Sequence, residues 1–348
     1  MSFDFTCPLP PSTVPDRVLL AHGGGGRLSR RLVRDLFHKH LKSPELSRDH
    51  DGAYLGMPPG RLAMTTDSYV IRPLFFPGGD IGSLAVHGTV NDLAACGARA
   101  RWLTVGFILE EGFPLADLDR IVASMAAAAA GAGVEVVAGD TKVVERGKGD
   151  GVYISTSGVG LVLAEPEPTP QAVRPGDVVL LSGAIGLHGM AILSVREGLA
   201  FESDIVSDSA PLGDLVAGVY RAGVIPHCLR DPTRGGVAAT LTEIAQASRT
   251  GILLEEEAIP VPEAVRGACE ILGLDPLHVA NEGKMLVIVD PADEADALAA
   301  LRSHPLGRDA ARIGRVLADE PGCVLVRTGL GSTFVLDIPA GEELPRIC

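Results

Sequence analysis

The chain has 348 residues and a formal net charge of −14. That is length enough for two domains, and the wrong sign for a nucleic-acid surface, which needs clustered Lys and Arg. Hydrophobic residues make up 46% and aromatics 4%, so the expected core is aliphatic and Ala-rich, with Gly 42 and Pro 25 supplying tight turns. Cys7, Cys96, Cys228, Cys269, Cys323 and Cys348 form no CxxC pair and no zinc-finger spacing. Scattered this way they read as reduced core residues of a cytoplasmic protein. Met1 to Pro15 lacks the basic–apolar–small order of a signal peptide. Ile121 to Ala132 is too short and too Ala-rich to span a bilayer, so no membrane association is expected.

His22-Gly23-Gly24-Gly25-Gly26-Arg27 comes first. Consecutive glycines expose bare N–H groups, and a glycine loop leading into a helix can hold an anion. A flexible hinge is an equal reading, and no Gly-Lys-Ser/Thr follows to make a P-loop. Leu28 to Leu41 has helical spacing. Arg61 to Val70 reads as a strand running into a turn, with Asp67 near its end. Asp80 to Cys96 reads as a helix with Asn91 and Asp92 near its C-terminus, where an acid opposes the helix dipole. For Asp92 the plain alternative is a solvated surface charge.

Arg101 to Leu109 is expected as a strand and Leu115 to Ala132 as a helix. Val134 to Ala138 should be a buried strand ending in Gly139-Asp140-Thr141-Lys142. A carboxylate, a hydroxyl and an ammonium at one strand end suit a phosphate–metal site. Asp67, Asp92 and Asp140 each follow or end an apolar element, which suggests a divalent metal held between carboxylates and a polyphosphate. Val152 to Leu163 is a further strand.

Ala164 to Pro175 is a Pro-rich linker. The expected division is 1–44 (glycine loop), 45–164 (first domain), 165–176 (linker), 177–338 (second domain) and 339–348 (tail). The second half opens with a strand, Val178 to Leu181. Helices at Met190 to Leu199 and Pro211 to Ala222 follow. Asp231-Pro232-Thr233-Arg234-Gly235-Gly236 then leads into a helix, Val237 to Ser248. It is either an anion or metal contact or an ordinary capping turn. Asn281-Glu282-Gly283-Lys284 precedes the strand Met285 to Val289, with Glu282 as a general base or an edge charge. Pro291 to Arg302 is a helix, and short strands follow near Ala311 to Val316, Cys323 to Val326 and Ser332 to Ile338. Alternating strands and helices give α/β or α+β character throughout.

The chain ends Pro345-Arg346-Ile347-Cys348. Extended, the nine residues from Ala340 reach about 30 Å at roughly 3.3 Å each. A terminal cysteine on such a run is either a thiol carried into a pocket or a frayed end. A prenylation signal would put its cysteine fourth from the end.

These motifs, in this order and with the terminal cysteine, resemble the HypE family of hydrogenase maturation factors. The resemblance covers nearly the whole chain. It implies the two-domain fold of the aminoimidazole ribonucleotide synthetase and selenophosphate synthetase superfamily, with an N-terminal domain that dimerises through its sheet. It further implies an ATP site in the cleft between the domains and Mg²⁺ on Asp67, Asp92 and Asp231, with Asn91, Asp140, Thr141 and Gly23 to Gly26 about the nucleotide. Selenophosphate synthetases typically carry a reactive Cys or selenocysteine with Lys in the glycine loop; this loop has neither.

The implied chemistry is carbamoyl dehydration. A carbamoyltransferase, HypF, loads Cys348, and ATP drives the S-carboxamide to a thiocyanate. Its cyanide passes to iron on a HypC–HypD complex for [NiFe]-hydrogenase. An amide oxygen leaves poorly until it is phosphorylated, and the two N–H protons call for a base. The resemblance supports Lys142 and Glu282 in that role, while Lys142 equally suits a γ-phosphate. The rivals are another ATP enzyme of the superfamily, indifferent to Cys348, and a non-catalytic scaffold for maturation partners.

Overall fold

The structure is a computed structural model and describes residues 15–48, 50–198 and 205–337. After the glycine loop come α1 (Arg27–Leu32), a π-helical turn (Val33–Phe37) and α2 (His38–His40). The first domain continues with β1 (Leu62–Tyr69), β2 (Phe75–Phe76), β3 (Gly79–Asp80), α3 (Ile81–Ala95), β4 (Ala98–Glu110), α4 (Leu115–Ala132), β5 (Glu135–Val144) and β6 (Val152–Val162). The second half holds β7 (Val178–Leu181), α5 (Leu187–Arg196), α6 (Gly213–Arg221), β8 (Cys228–Arg230), α7 (Gly236–Ser248), β9 (Gly251–Glu255), α8 (Glu263–Leu272), β10 (Leu286–Val289), α9 (Glu294–Ser303), β11 (Ala311–Leu317), β12 (Val324–Arg327) and β13 (Thr333–Val335).

The first sheet runs β1-β6-β4-β5. β6 is antiparallel to both β1 and β4, and β4 is parallel to β5. The parallel pair requires a crossover, which α4 supplies. Two rows cross all four strands. One is Asp67–Thr156–Val105–Gly139; the next is Ser68–Ser155–Gly106–Asp140. Successive residues of a strand point to opposite faces. The first row faces the helices, where Thr89 of α3 bonds Thr156 at 2.5 Å. The second shares the open face with Met64, 71% exposed, and Ile108, 42% exposed.

α3 is the helix on which both halves rest. Asp80 caps it: Oδ1 accepts from the Gly82 and Ser83 N–H groups at 2.7 and 3.0 Å, and Ser83 Oγ accepts from Asp80 N–H at 3.1 Å. Eleven of its fifteen residues are buried, so it is a core helix rather than an amphipathic surface one. A Cβ at Gly82 would lie 2.3 Å from the Ile121 carbonyl oxygen of α4, so glycine there sets the helix–helix approach.

The second sheet runs β13-β12-β9-β11-β7-β10-β8 and is antiparallel except for β9 with β12. α7 covers one face; α6 and α9 cover the other. The cores of the two halves interlock. Ile192 and Ala280 belong to the cluster built on α3 and α4, and Ala94 of α3 belongs to the one beneath α6 and α9.

Several elements depart from expectation. Gly139 to Lys142 lies inside β5 rather than at a strand end, because the register with β4 continues to Val144. Asp67 likewise sits within β1. The expected helix over Leu28 to Leu41 is broken by the π turn. β8, β9 and α8 go beyond the expected elements. Cys228 and Cys269 are buried as expected, but Cys96 is exposed and Cys323 half-buried. Ile338 and the tail, including Cys348, and Cys7 lie outside the described residues. Among the described residues no helix is long and apolar enough to cross a membrane.

Candidate functional site

A cavity of about 720 Å³ opens between the two halves, lined among others by Thr65, Asp92, Arg230, Asp231, Thr233 and Arg234. β1 brings Thr65, the last turn of α3 brings Asp92, and the loop from β8 into α7 brings Asp231 and Arg234. Thr65 Oγ1 donates to Asp92 Oδ2 at 2.8 Å, fixing the carboxylate against the edge strand. Burial raises the Asp92 pKa and the charge of Asp67 adds to it; the Thr65 bond, Arg230 and Arg234 oppose the rise. Asp231 is pushed up to about 7, by burial first and then by the charge of Asp92.

Glu282 completes the group. It is 3% exposed, and its pKa stands well above the carboxylate range. Burial is the main cause, followed by the charges of Asp231, Asp208, Asp67 and Asp92. No donor reaches its carboxylate among the described residues. Glu282 is therefore a buried acid whose surroundings disfavour its charge, not a charge at a strand edge. Such a group is suited to moving a proton. Asp92 is likewise a wall of the cavity and not a free surface charge.

Asp67, Asp92 and Asp231 offer hard carboxylate oxygens whose mutual repulsion a cation would relieve. Among the described residues no three such side chains close into a metal cage. A Mg²⁺ ion would call on only one or two of these carboxylates, because it keeps several waters and shares its remaining positions with phosphate oxygens.

The other expected site residues lie elsewhere. Across three strand spacings of about 4.8 Å, Asp140 stands on the opposite edge of the sheet from Asp67, and on its other face. Lys142 Nζ is 2.6 and 2.9 Å from the Asp140 oxygens and holds that carboxyl below its usual range. Thr141 N–H donates to Asp140 Oδ1 at 2.8 Å. Beside them a second cavity, about 280 Å³, is walled by Phe37, Phe107 and Val136 and rimmed by Gly23, Gly25 and Ser29. A Cβ at Gly23 would come 2.9 Å from Val143 N, so the loop can pack on β5 only as glycine. Gly24 and Gly26 remain exposed. The expected grouping of Asp140 with Asp67 and Asp92 is thus corrected by strand order, and Lys142 and Glu282 line different parts of one chain.

Asn91 is corrected too as a nucleotide contact. It is fully buried and its carboxamide is spent on backbone: Nδ2 donates to the carbonyls of Ala210 and Glu282 at 3.1 Å each, and Oδ1 accepts from Leu212 N–H at 2.8 Å. Sequence reasoning missed Asp208, 3.1 Å from Lys284 Nζ and buried with it. No local signal marks an acid for burial; only the lysine two residues after Glu282 hinted at a need for a counter-charge.

Residues 49–162 match the N-terminal domain of AIR synthase related proteins and residues 174–326 match the C-terminal domain. Carbamoyl dehydratase HypE of Azotobacter vinelandii is 58% identical over 332 residues, covering 95% of this chain and 97% of that protein. A crystal structure of hydrogenase maturation protein HypE in complex with ATP superposes with a TM-score of 0.91 at 51% identity, over 95% of this chain and 99% of that one. A chain from the HypE–HypF complex superposes at 0.78 with 47% identity, over 88% and 99%. With this identity over nearly the full length, and both domains matched, the chain belongs to the HypE family of hydrogenase maturation proteins.

Proposed function

We propose that this chain is an ATP-dependent carbamoyl dehydratase that turns a carbamoyl group on Cys348 into a thiocyanate, the source of a cyanide ligand for [NiFe]-hydrogenase iron. The observation that carries the reading is the cavity between the halves, large enough for a nucleotide and lined by Asp92, Asp231, Arg230 and Arg234, together with Glu282, buried and without a donor on its carboxylate among the described residues. In this reading the S-carboxamide oxygen attacks the γ-phosphorus of ATP and ADP leaves. The C–O bond then breaks, phosphate departs with that oxygen, and the nitrogen gives up both protons to leave C≡N. Glu282, once ionised, takes a proton from nitrogen. Mg²⁺ held through Asp67, Asp92 and Asp231 would offset the phosphate charge. Arg230 and Arg234 orient the polyphosphate.

The glycine loop, Asp140, Thr141 and Lys142 belong to the same reaction through a homodimer. The open face of the first sheet carries exposed Leu62, Met64 and Ile108, an apolar patch that a second copy would cover. Asp140 and Lys142 lie on that face, so this reading assigns them to a composite site at the seam, with Lys142 as base or phosphate ligand. HypF is proposed as the loading partner, as in the HypE–HypF complex of the relative, and a HypC–HypD complex as the acceptor.

Mass spectrometry of the C-terminal peptide tests this, after loading by the carbamoyltransferase and addition of Mg-ATP. The carbamoyl adduct on Cys348 should lose the mass of one water only when ATP is present. Cys348→Ala should take no adduct yet still bind ATP. Glu282→Ala should load and then stall, since a general base contributes about 10²–10⁴-fold. Conversion without ATP, or a cyanated Cys348→Ala protein, overturns the proposal.

A further inference from the structure

The segment 205–212 runs from the second half across α3 and back. Ser207 N–H donates to the Pro77 carbonyl at 2.9 Å, and Ser209 Oγ is 3.0 Å from His87 Nδ1 of α3. Between them, Asp208 turns toward Glu282. Its Oδ1 accepts from the Glu282 backbone N–H at 3.2 Å, and its Oδ2 stands 3.1 Å from Lys284 Nζ as an ion pair without hydrogen-bond alignment. Both side chains of that pair are at least nine-tenths buried. The approach is close enough that a Cβ at Gly283 would fall inside the Asp208 carbonyl oxygen. From the other side, the Glu282 carbonyl accepts from Asn91 Nδ2 at 3.1 Å and from Ala210 N–H at 3.4 Å.

We propose that Asp208 is a positioning residue for dehydration: anchored by Lys284, it takes the Glu282 backbone N–H and, opposite Asn91, clamps the peptide that carries the proton-moving carboxyl. The inference rests on the reading of Glu282 given above. A buried, poorly aligned ion pair is weak support for stability, and removing one partner leaves the other uncompensated. Its worth is geometric. Glu282 has no donor of its own, so its direction is set by the backbone on either side. Proton transfer requires the base within hydrogen-bond reach, and small displacements at a reacting centre cost rate steeply. The same clamp reaches the cavity, because Asn91 is followed in sequence by Asp92.

The test uses the full-length protein loaded with carbamoyl, with ATP-dependent conversion as readout. In Asp208→Asn, the new amide faces two donors with a single acceptor, so one contact is lost. The rate constant for conversion should fall about tenfold or more, with the KM for ATP unchanged within about twofold. The double substitution Asp208→Asn with Lys284→Gln supplies a neutral pair that satisfies both contacts, and should recover to within about threefold of the parent. Wild-type conversion by Asp208→Asn, parallel loss of ATP affinity, or a folded double variant as slow as the single one each overturns the clamp. If the single variant does not fold, the double variant alone decides: folded and active supports, folded and slow refutes. Hydrogen exchange of the unaltered protein adds an arm independent of both variants. The Glu282 amide should be strongly protected, and exchange at the intrinsic rate sinks the proposal. Failure of the parent itself to convert carbamoyl-Cys348 would refute the dehydratase reading instead, and leaves the exchange result standing.

Discussion

Lys142 Nζ lies 2.6 Å from Asp140 Oδ2, two residues away on the edge strand of the first sheet, and both side chains are about two-thirds exposed. An exposed pair of this kind contributes about 0–1 kcal/mol to stability. Lys142→Met should therefore melt within about 2 °C of the parent by calorimetry, taking roughly 1–2 °C per kcal/mol from an unfolding entropy of about 2.1 cal/mol/K per residue. Conversion of loaded Cys348 should still drop at least about tenfold, because the ammonium is proposed as base or phosphate ligand. A variant with unchanged conversion makes Lys142 a solvated partner of Asp140 and nothing more.

Asp67→Ala and Asp92→Ala should weaken Mg-ATP binding about tenfold or more while far-UV circular dichroism stays the same, since a carboxylate ligand to the metal supplies charge that waters do not replace. Isothermal titration at fixed Mg²⁺ measures this. Asp140→Ala, on the opposite edge and face, should behave differently in a monomeric preparation, with near-parental affinity. Unchanged affinity in both the Asp67 and Asp92 variants removes the metal assignment.

Asp231 supplies a pH signature. It holds its proton to about pH 7 in the fold, whereas an unfolded aspartate loses it near about 4. Between those values the folded state binds more protons, so the contribution of this group is full below about pH 4 and is lost as pH rises through about 7. Asp231→Asn imitates the protonated form. Without Mg²⁺ it should melt with the parent at about pH 4 and about 3 °C or more above it at about pH 8. Added Mg-ATP should reverse that order by stabilising only the parent. Equal melting temperatures at both pH values would mean that Asp231 ionises normally.

The exposed sheet face predicts self-association. Sedimentation equilibrium at micromolar concentration should return twice the chain mass of 36.1 kDa, and Met64→Lys with Ile108→Lys should shift it toward a single chain. A monomer in the parent protein removes the composite site.

How far the sequence reached depends on the kind of signal. The helices α4 and α7 and strands such as β7 were legible because their apolar periodicity and their Pro and Gly boundaries are local. α8 was legible as well, through Val265, Ala268, Cys269 and Leu272, and was passed over. β8 has three residues, too few for any period. Within the candidate site, Asp231 and Glu282 were singled out through their motifs. The edge position of Asp140 could not be, because strand order in a sheet comes from long-range pairing. The roles of Asn91 and Asp208 depend on contacts over 119 and 74 residues of chain, which no local pattern encodes.

Halves whose cores interlock through Ala94, Ile192 and Ala280 do not behave like two lobes on a hinge. Swinging one against the other would expose apolar surface on both sides of α3, whereas jaw-like closure needs a smaller or more polar interface. The body of this protein acts as a fixed mould around its cavity. Among the described residues, what is left to adapt to a reactant is side chains on the cavity wall, Arg230 and Arg234 first among them.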